Sequence, residues 1–116
     1  MKKINILASS RDFEKIIKKN KPYFSPYFKL YITKNETNIY KVGIAVPKTL
    51  GNAVIRNKIK RQIKNILDNN KKLLHLSYNY IIIVRKDVLK LNFNKIEIEL
   101  INLLNKERKY NETKYN

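Results

Sequence analysis

Apolar and polar positions along this chain change their period several times, and each change marks an element. Phe13, Ile16 and Ile17 share one helical face, Ser9 or Ser10 stands at the N-cap, and Asp12 and Glu14 suit the positive end of the helix dipole. Asn20 and Pro22 end that helix. From Phe28 the period drops to two. Phe28, Leu30 and Ile32 alternate with Lys29, Tyr31 and Thr33, which predicts a half-buried strand. Asn35-Glu36-Thr37-Asn38 reads as a turn, and a second strand from about Tyr40 to Val46 predicts a hairpin with the first.

Pro47 to Gly51 breaks the pattern, and Asn52 is placed to cap a helix from Ala53 to about Asn70. Ile55, Ile59, Ile63, Ile66 and Leu67 fall on one stripe of it. After a loop carrying His75, the run Tyr80-Ile-Ile-Ile-Val84 is apolar throughout and β-branched, which predicts a central strand covered on both faces. Asn92 caps a last helix to about Lys109, with Ile96, Leu100, Leu103 and Leu104 as its buried stripe, and the polar tail 110–116 is expected to fray. The order α-β-β-α-β-α predicts one α+β domain over residues 1–116, a sandwich whose sheet is covered largely on one side.

Composition narrows the function. Lys+Arg 26 against Asp+Glu 9 leaves a net charge of +17 on 116 residues, which points to a polyanionic partner. A hydrophobic content of 43%, with eight Tyr and four Phe, argues against disorder. With no Cys there is no disulfide, thiolate zinc site or cysteine nucleophile, and a single His makes a His-rich metal site or a Ser-His-Asp mechanism a poor reading. No apolar run approaches the roughly 18 residues of a membrane span, no signal-peptide core is present, and a cytoplasmic setting is expected. Lysines number 21 against five arginines, a bias that an AT-rich genome would produce by itself. The arrangement of the charge therefore has to decide.

That arrangement is informative between Glu36 and Asp68, where no acid occurs and Lys41, Lys48, Arg56, Lys58, Lys60, Arg61 and Lys64 do. Wound at about 100° per residue from Ile55, the apolar side covers roughly 0° to 120°, while Lys60, Lys64, Asn57 and Arg61 cover roughly 140° to 240°. A solvated helix interleaves Glu with Lys at i,i+4; this one stacks like charges at 56, 60 and 64 and loses stability unless an external anion meets them. Asn57 amid the cations can address a phosphate, a 2′-hydroxyl or a base edge, although an ordinary surface Asn fits the pattern equally.

A second surface follows from strand parity. Lys29, Tyr31 and Thr33 face away from the core beside the small Gly43 and Ala45, so a single strand of nucleic acid could lie there, with Tyr31 stacking on a base and Phe13 and Ile17 as a wall. A first helix packed on that face, with Phe13 in the core, fits equally. Elsewhere, His75 lacks a paired ligand, Glu97 and Glu99 diverge on a helix, and Gly43 and Gly51 form no phosphate loop.

Gly51-Asn-Ala-Val-Ile-Arg-Asn-Lys-Ile-Lys-Arg61, after Lys41-Val-Gly-Ile-Ala-Val46, resembles the signature of the bacterial ribonuclease P protein component. Asp12-Phe13, Phe28-Lys-Leu-Tyr31 and Tyr80-Ile-Ile-Ile-Val-Arg-Lys86 extend the likeness through nearly the whole chain. The resemblance implies a mixed sheet with a left-handed β-α-β crossover between Val46 and Tyr80, of the kind found in the second domain of a small-subunit ribosomal protein. It implies binding to a catalytic RNA that removes the 5′ leader of precursor tRNA, with magnesium held by the RNA, no catalytic residue on the protein, and no obligate protein partner. The surface for the RNA subunit would be Lys48, Asn52, Arg56, Asn57, Lys58, Lys60, Arg61 and Lys64; the leader groove would be Phe13, Ile17, Lys29 and Tyr31. Ile17 stands where the family usually has a second phenylalanine, and Lys58 and Lys64 where arginine is usual, keeping charge but losing the bidentate fork. A structural RNA-binding protein, such as a ribosomal protein, and a double-stranded DNA binder are the competing classes.

Overall fold

The computed structural model describes residues 1–7 and 9–115, with side chains up to Glu107. Its elements are α1 (Ser10–Lys19), β1 (Tyr23–Phe24), β2 (Phe28–Lys34), β3 (Lys41–Ala45), α2 (Ala53–Asn69), β4 (Tyr78–Val84) and α3 (Phe93–Tyr115). The three N-caps act as their residue types predict. Ser9 Oγ accepts from the Asp12 N–H at 3.5 Å, Asn52 Oδ1 from Ile55 at 3.0 Å and Asn92 Oδ1 from Lys95 at 3.0 Å. β1 is an element the hydrophobic pattern does not announce, being only two residues long. α3 continues past the expected end at Lys109 as far as Tyr115, so the fraying expected over 110–116 is not found up to Tyr115, and residue 116 lies outside the described residues.

The strand order is β1-β2-β4-β3, with β1/β2 and β2/β4 antiparallel and β3/β4 parallel. The predicted hairpin between the strands near 28–33 and 40–46 is therefore not formed: β4 lies between them. The cause is β4's own composition. Tyr80, Ile82 and Val84 point to one face and Ile81 to the other, and all four are fully buried, so the strand belongs inside the sheet rather than at an edge. The connection over 35–40 has to cross the end of β4, about two strand spacings or 9–10 Å. It is held there by the Asn35 side-chain amide, which donates to Asn79 Oδ1 at 2.9 Å and to the Ile39 carbonyl at 3.2 Å.

One sheet face carries the main core. Phe28, Leu30, Val42, Tyr80, Ile82 and Val84 meet Ile59, Ile63, Ile66 and Leu67 of α2 and Ile96, Leu100, Leu103 and Leu104 of α3. Each such aliphatic side chain contributes about 1.5–3 kcal/mol on burial, and the buried Tyr80 hydroxyl accepts the His75 N–H at 2.8 Å. Ile55, placed by periodicity on the same stripe, is instead 39% exposed, in the first turn of α2 where its side chain lies against Gly51. The opposite face carries a smaller cluster in which Ile16 of α1 packs with Leu7, Tyr31 and Ile81. Parallel β3 and β4 joined through α2 make the β-α-β crossover. Among the described residues no helix is long and apolar enough to cross a membrane.

Candidate nucleic-acid interface

α2 separates its side chains as the winding predicts. Ile59, Ile63, Ile66 and Leu67 are buried, while Asn57, Lys58 and Arg61 are exposed and Arg56, Lys60 and Lys64 are half-buried. Its single acid, Asp68, is engaged by the Met1 amine and not by Lys64 one turn earlier. Among the described residues no carboxylate forms an ion pair with Lys48, Arg56, Lys58, Lys60, Arg61 or Lys64. Arg56 Nε is buried without a hydrogen-bond acceptor. Asn52 Oδ1 is committed to the cap, which leaves only its amide group for a partner. Lys48 is exposed on the short turn before the cap, and Gly51 follows at φ 150, a conformation that L side chains rarely adopt.

The outer sheet face is read from the strand registers. Tyr31, Ile81 and Gly43 form one row across β2, β4 and β3; Phe24, Lys29, Ile83 and Ala45 form the next row across all four strands. α1 covers the first of these. The Phe13 ring lies directly on Gly43, so close that a Cβ built there would sit 2.3 Å from Phe13 Cζ. Gly43 is thus a seat for an aromatic ring, which is the physical reason for a residue that otherwise weakens a strand. Phe13 and Ile17, both half-buried, pack beside the Ile16 cluster at the border of the open part of this face.

Tyr31 differs from expectation. It is 8% exposed and packed with Leu7, Ile16 and Ile81, so its ring supports α1 instead of offering an open stacking face. Sequence parity placed Tyr31 on the correct side but could not show that α1 lies over it. The open part of the face is the second row: Ile83 and Ala45 are half-buried, Lys29 is half-buried, and Phe24 is 54% exposed. Phe24 and Ile83 are the members sequence reading missed. The parity of the β4 run would have indicated Ile83, whereas nothing local marks Phe24.

The two surfaces adjoin. A cleft of about 240 Å³ at the β3 edge is lined by Phe13 from the outer sheet face and by Val42, Ile44, Lys60 and Lys64 from the α2 face, so the cationic face of α2 reaches round that edge to the Phe13 end of the groove. The lysine stems lie along apolar surface there while their ammonium groups remain free for an anion. This combination, unpaired cations beside a shallow apolar sheet face, is chemistry for a single-stranded polyanion with bases. Away from it, His75 is exposed and meets only the edge of Tyr78. Among the described residues no three His, Asp or Glu side chains gather closely enough to hold a metal ion.

A family model described as Ribonuclease P matches residues 1–108. The ribonuclease P protein component of Streptococcus agalactiae is 39% identical over 104 residues, covering 90% of this chain and 94% of that protein. The structure of the Staphylococcus aureus RNase P protein superposes with a TM-score of 0.83 at 32% identity, over 89% of this chain and 94% of the other. That of the Thermotoga maritima protein gives 0.78 at 31%, over 84% and 93%.

Proposed function

Because this chain belongs to the bacterial ribonuclease P protein family, we propose that it joins a catalytic RNA and helps that RNA remove the 5′ leader from precursor tRNA in the cytoplasm. The observation that carries this reading is the continuity between an acid-free cationic helix face and an apolar sheet groove. The cationic part, Lys48, Arg56, Asn57, Lys58, Lys60, Arg61 and Lys64 with the amide of Asn52, meets the folded RNA subunit through its phosphates. The groove, walled by Phe13 and Ile17, supported from beneath by Tyr31 and carrying Lys29 on its floor, takes the unpaired leader.

Bond cleavage belongs to the RNA, which holds the magnesium ions that supply the hydrolytic chemistry. The protein's part is electrostatic and positional. Its cations offset the repulsion between two polyphosphate backbones, and its groove restricts the leader so that the scissile bond is presented in one place. A ribosomal protein shares the charge but has no reason to keep a leader groove open.

Reconstitution tests this directly. Protein added to the ribonuclease P RNA and precursor tRNA at low magnesium should restore accurate 5′ cleavage. Failure to stimulate the RNA, with the protein folded, would refute the assignment.

A further inference from the structure

We infer that Phe24 is a stacking platform for one unpaired base of the leader, extending the groove to the outer edge of the sheet. This rests on the leader-groove reading above and adds to it a residue no sequence motif indicates. Three observations carry it. First, register places Phe24 opposite Lys29, hence on the outer face and in the same row as Ile83 and Ala45, the open floor of the groove. Its neighbour Tyr23 turns inward and packs on the main core.

Second, Phe24 is 54% exposed, whereas Tyr31 is buried and the Phe13 ring is seated on Gly43. The largest open aromatic surface on this face therefore lies at β1. Third, the backbone that carries the ring is held in place. Ser25 Oγ accepts from the Tyr27 and Phe28 N–H groups at 3.2 and 3.0 Å, and the Arg85 guanidinium donates to the Ser25 carbonyl at 3.1 Å, tying the β1–β2 turn to the end of β4. A platform whose backbone is tied down before binding loses less freedom when a base settles on it.

The chemistry of the site selects its occupant. Lys29 Nζ lies 5.5 Å from the Phe24 ring centroid, a cation–π contact worth about 0.5–1 kcal/mol at an exposed site. A base that takes the ammonium's place over the ring leaves Lys29 free for the adjoining phosphate, so stacking and charge neutralisation occur together. Apolar peptide segments would fill the ring but leave the lysine without an anion. From Ala45 to Phe24 is three strand spacings, about 14 Å, so only a leader long enough to cross the sheet reaches this platform.

Length dependence is the test. In the reconstituted holoenzyme, precursor tRNAs with leaders lengthened one nucleotide at a time are compared for affinity with wild-type protein, Phe24→Ala, Phe24→Leu and Phe24→Tyr. The loss for Phe24→Ala should appear only once the leader reaches the β1 edge and should approach about tenfold there. Phe24→Leu should share it, and Phe24→Tyr should restore binding. Thermal melts of the free proteins should coincide, since the ring is exposed. A length-dependent wild-type affinity with Phe24→Ala indistinguishable at every length would overturn the platform and leave the groove standing. If leader length has no effect on the wild type, the groove and the platform fall together.

Discussion

Gly43→Ala tests the glycine on which the Phe13 ring of the proposed groove is seated. A Cβ at this position would lie 2.3, 2.7 and 3.1 Å from Cζ, Cε2 and Cε1 of Phe13. Ordinary carbon contacts begin near 3.5 Å, so the ring has to retreat by about 1.2 Å or more. The backbone at Gly43 is not in the left-handed region, so the strand itself accepts alanine and the whole cost is the collision. Overpacking of this kind costs about 1–3 kcal/mol. The same substitution in a Phe13→Ala background meets no ring. There it should stabilise by about 0.4–1 kcal/mol through the reduced freedom of the unfolded chain. Urea unfolding of the wild type, both single variants and the double variant gives the coupling energy. A change of sign between backgrounds is expected, together with weaker leader binding for Gly43→Ala alone. Additive effects would mean that Phe13 does not rest on Gly43, and the proposed wall of the groove would lose its support.

Two further outcomes follow from charge. Arg61 is exposed on the cationic face, so Arg61→Ala should leave stability unchanged, weaken RNA-subunit binding and lower the magnitude of the salt slope by somewhat under one unit; binding titrations between low and moderate salt check this. The Tyr40 phenol is pushed above its ordinary 10.0 by burial and then by Asp68. The folded protein therefore holds that proton more tightly than the unfolded chain, a contribution present below pH 10 and lost as pH rises through the higher value. Denaturation midpoints of Tyr40→Phe between pH 9 and 11 should fall less steeply than those of the wild type, and parallel curves would remove this role.

How much of this was legible beforehand depended on whether the deciding contact was local. Caps at Ser9, Asn52 and Asn92, the α2 stripe from Ile59 to Leu67 and the strand parity at Phe28–Thr33 are set by neighbours a few residues apart, and each was readable. The pairing of strands was not. A short polar connection between two strands reads as a hairpin, and only the two-sided apolar surface of β4, nearly 40 residues further on, explains why they part to admit it. Tyr31 shows the same limit. Its parity was clear, but the depth of its burial depends on where α1 settles, and that depends on Gly43 admitting Phe13. Phe24 went unnoticed because a two-residue strand has no period; its place follows from pairing with Lys29 alone.

The contrast between α1 and α2 shows why the cationic face can exist at all. α1 places Asp12 in its first turn and Lys18 and Lys19 in its last, as the helix dipole favours. α2 has no acid in its first turn and no base in its last, and sets Arg56, Lys60 and Lys64 one turn apart. Each like-charge pair costs roughly 0.2–0.5 kcal/mol and the missing dipole partner about 0.3–1. Four buried aliphatic side chains on the same helix return about 1.5–3 kcal/mol each. Burial therefore fixes the helix whatever its outer face carries, and the repulsion persists as a small debt that only an anion from outside removes. Because the folded helix gathers those cations on one face, the anion binds it more tightly than it binds the unfolded chain, so RNA binding and the stability of α2 are linked, and the protein should be more stable in the complex than alone.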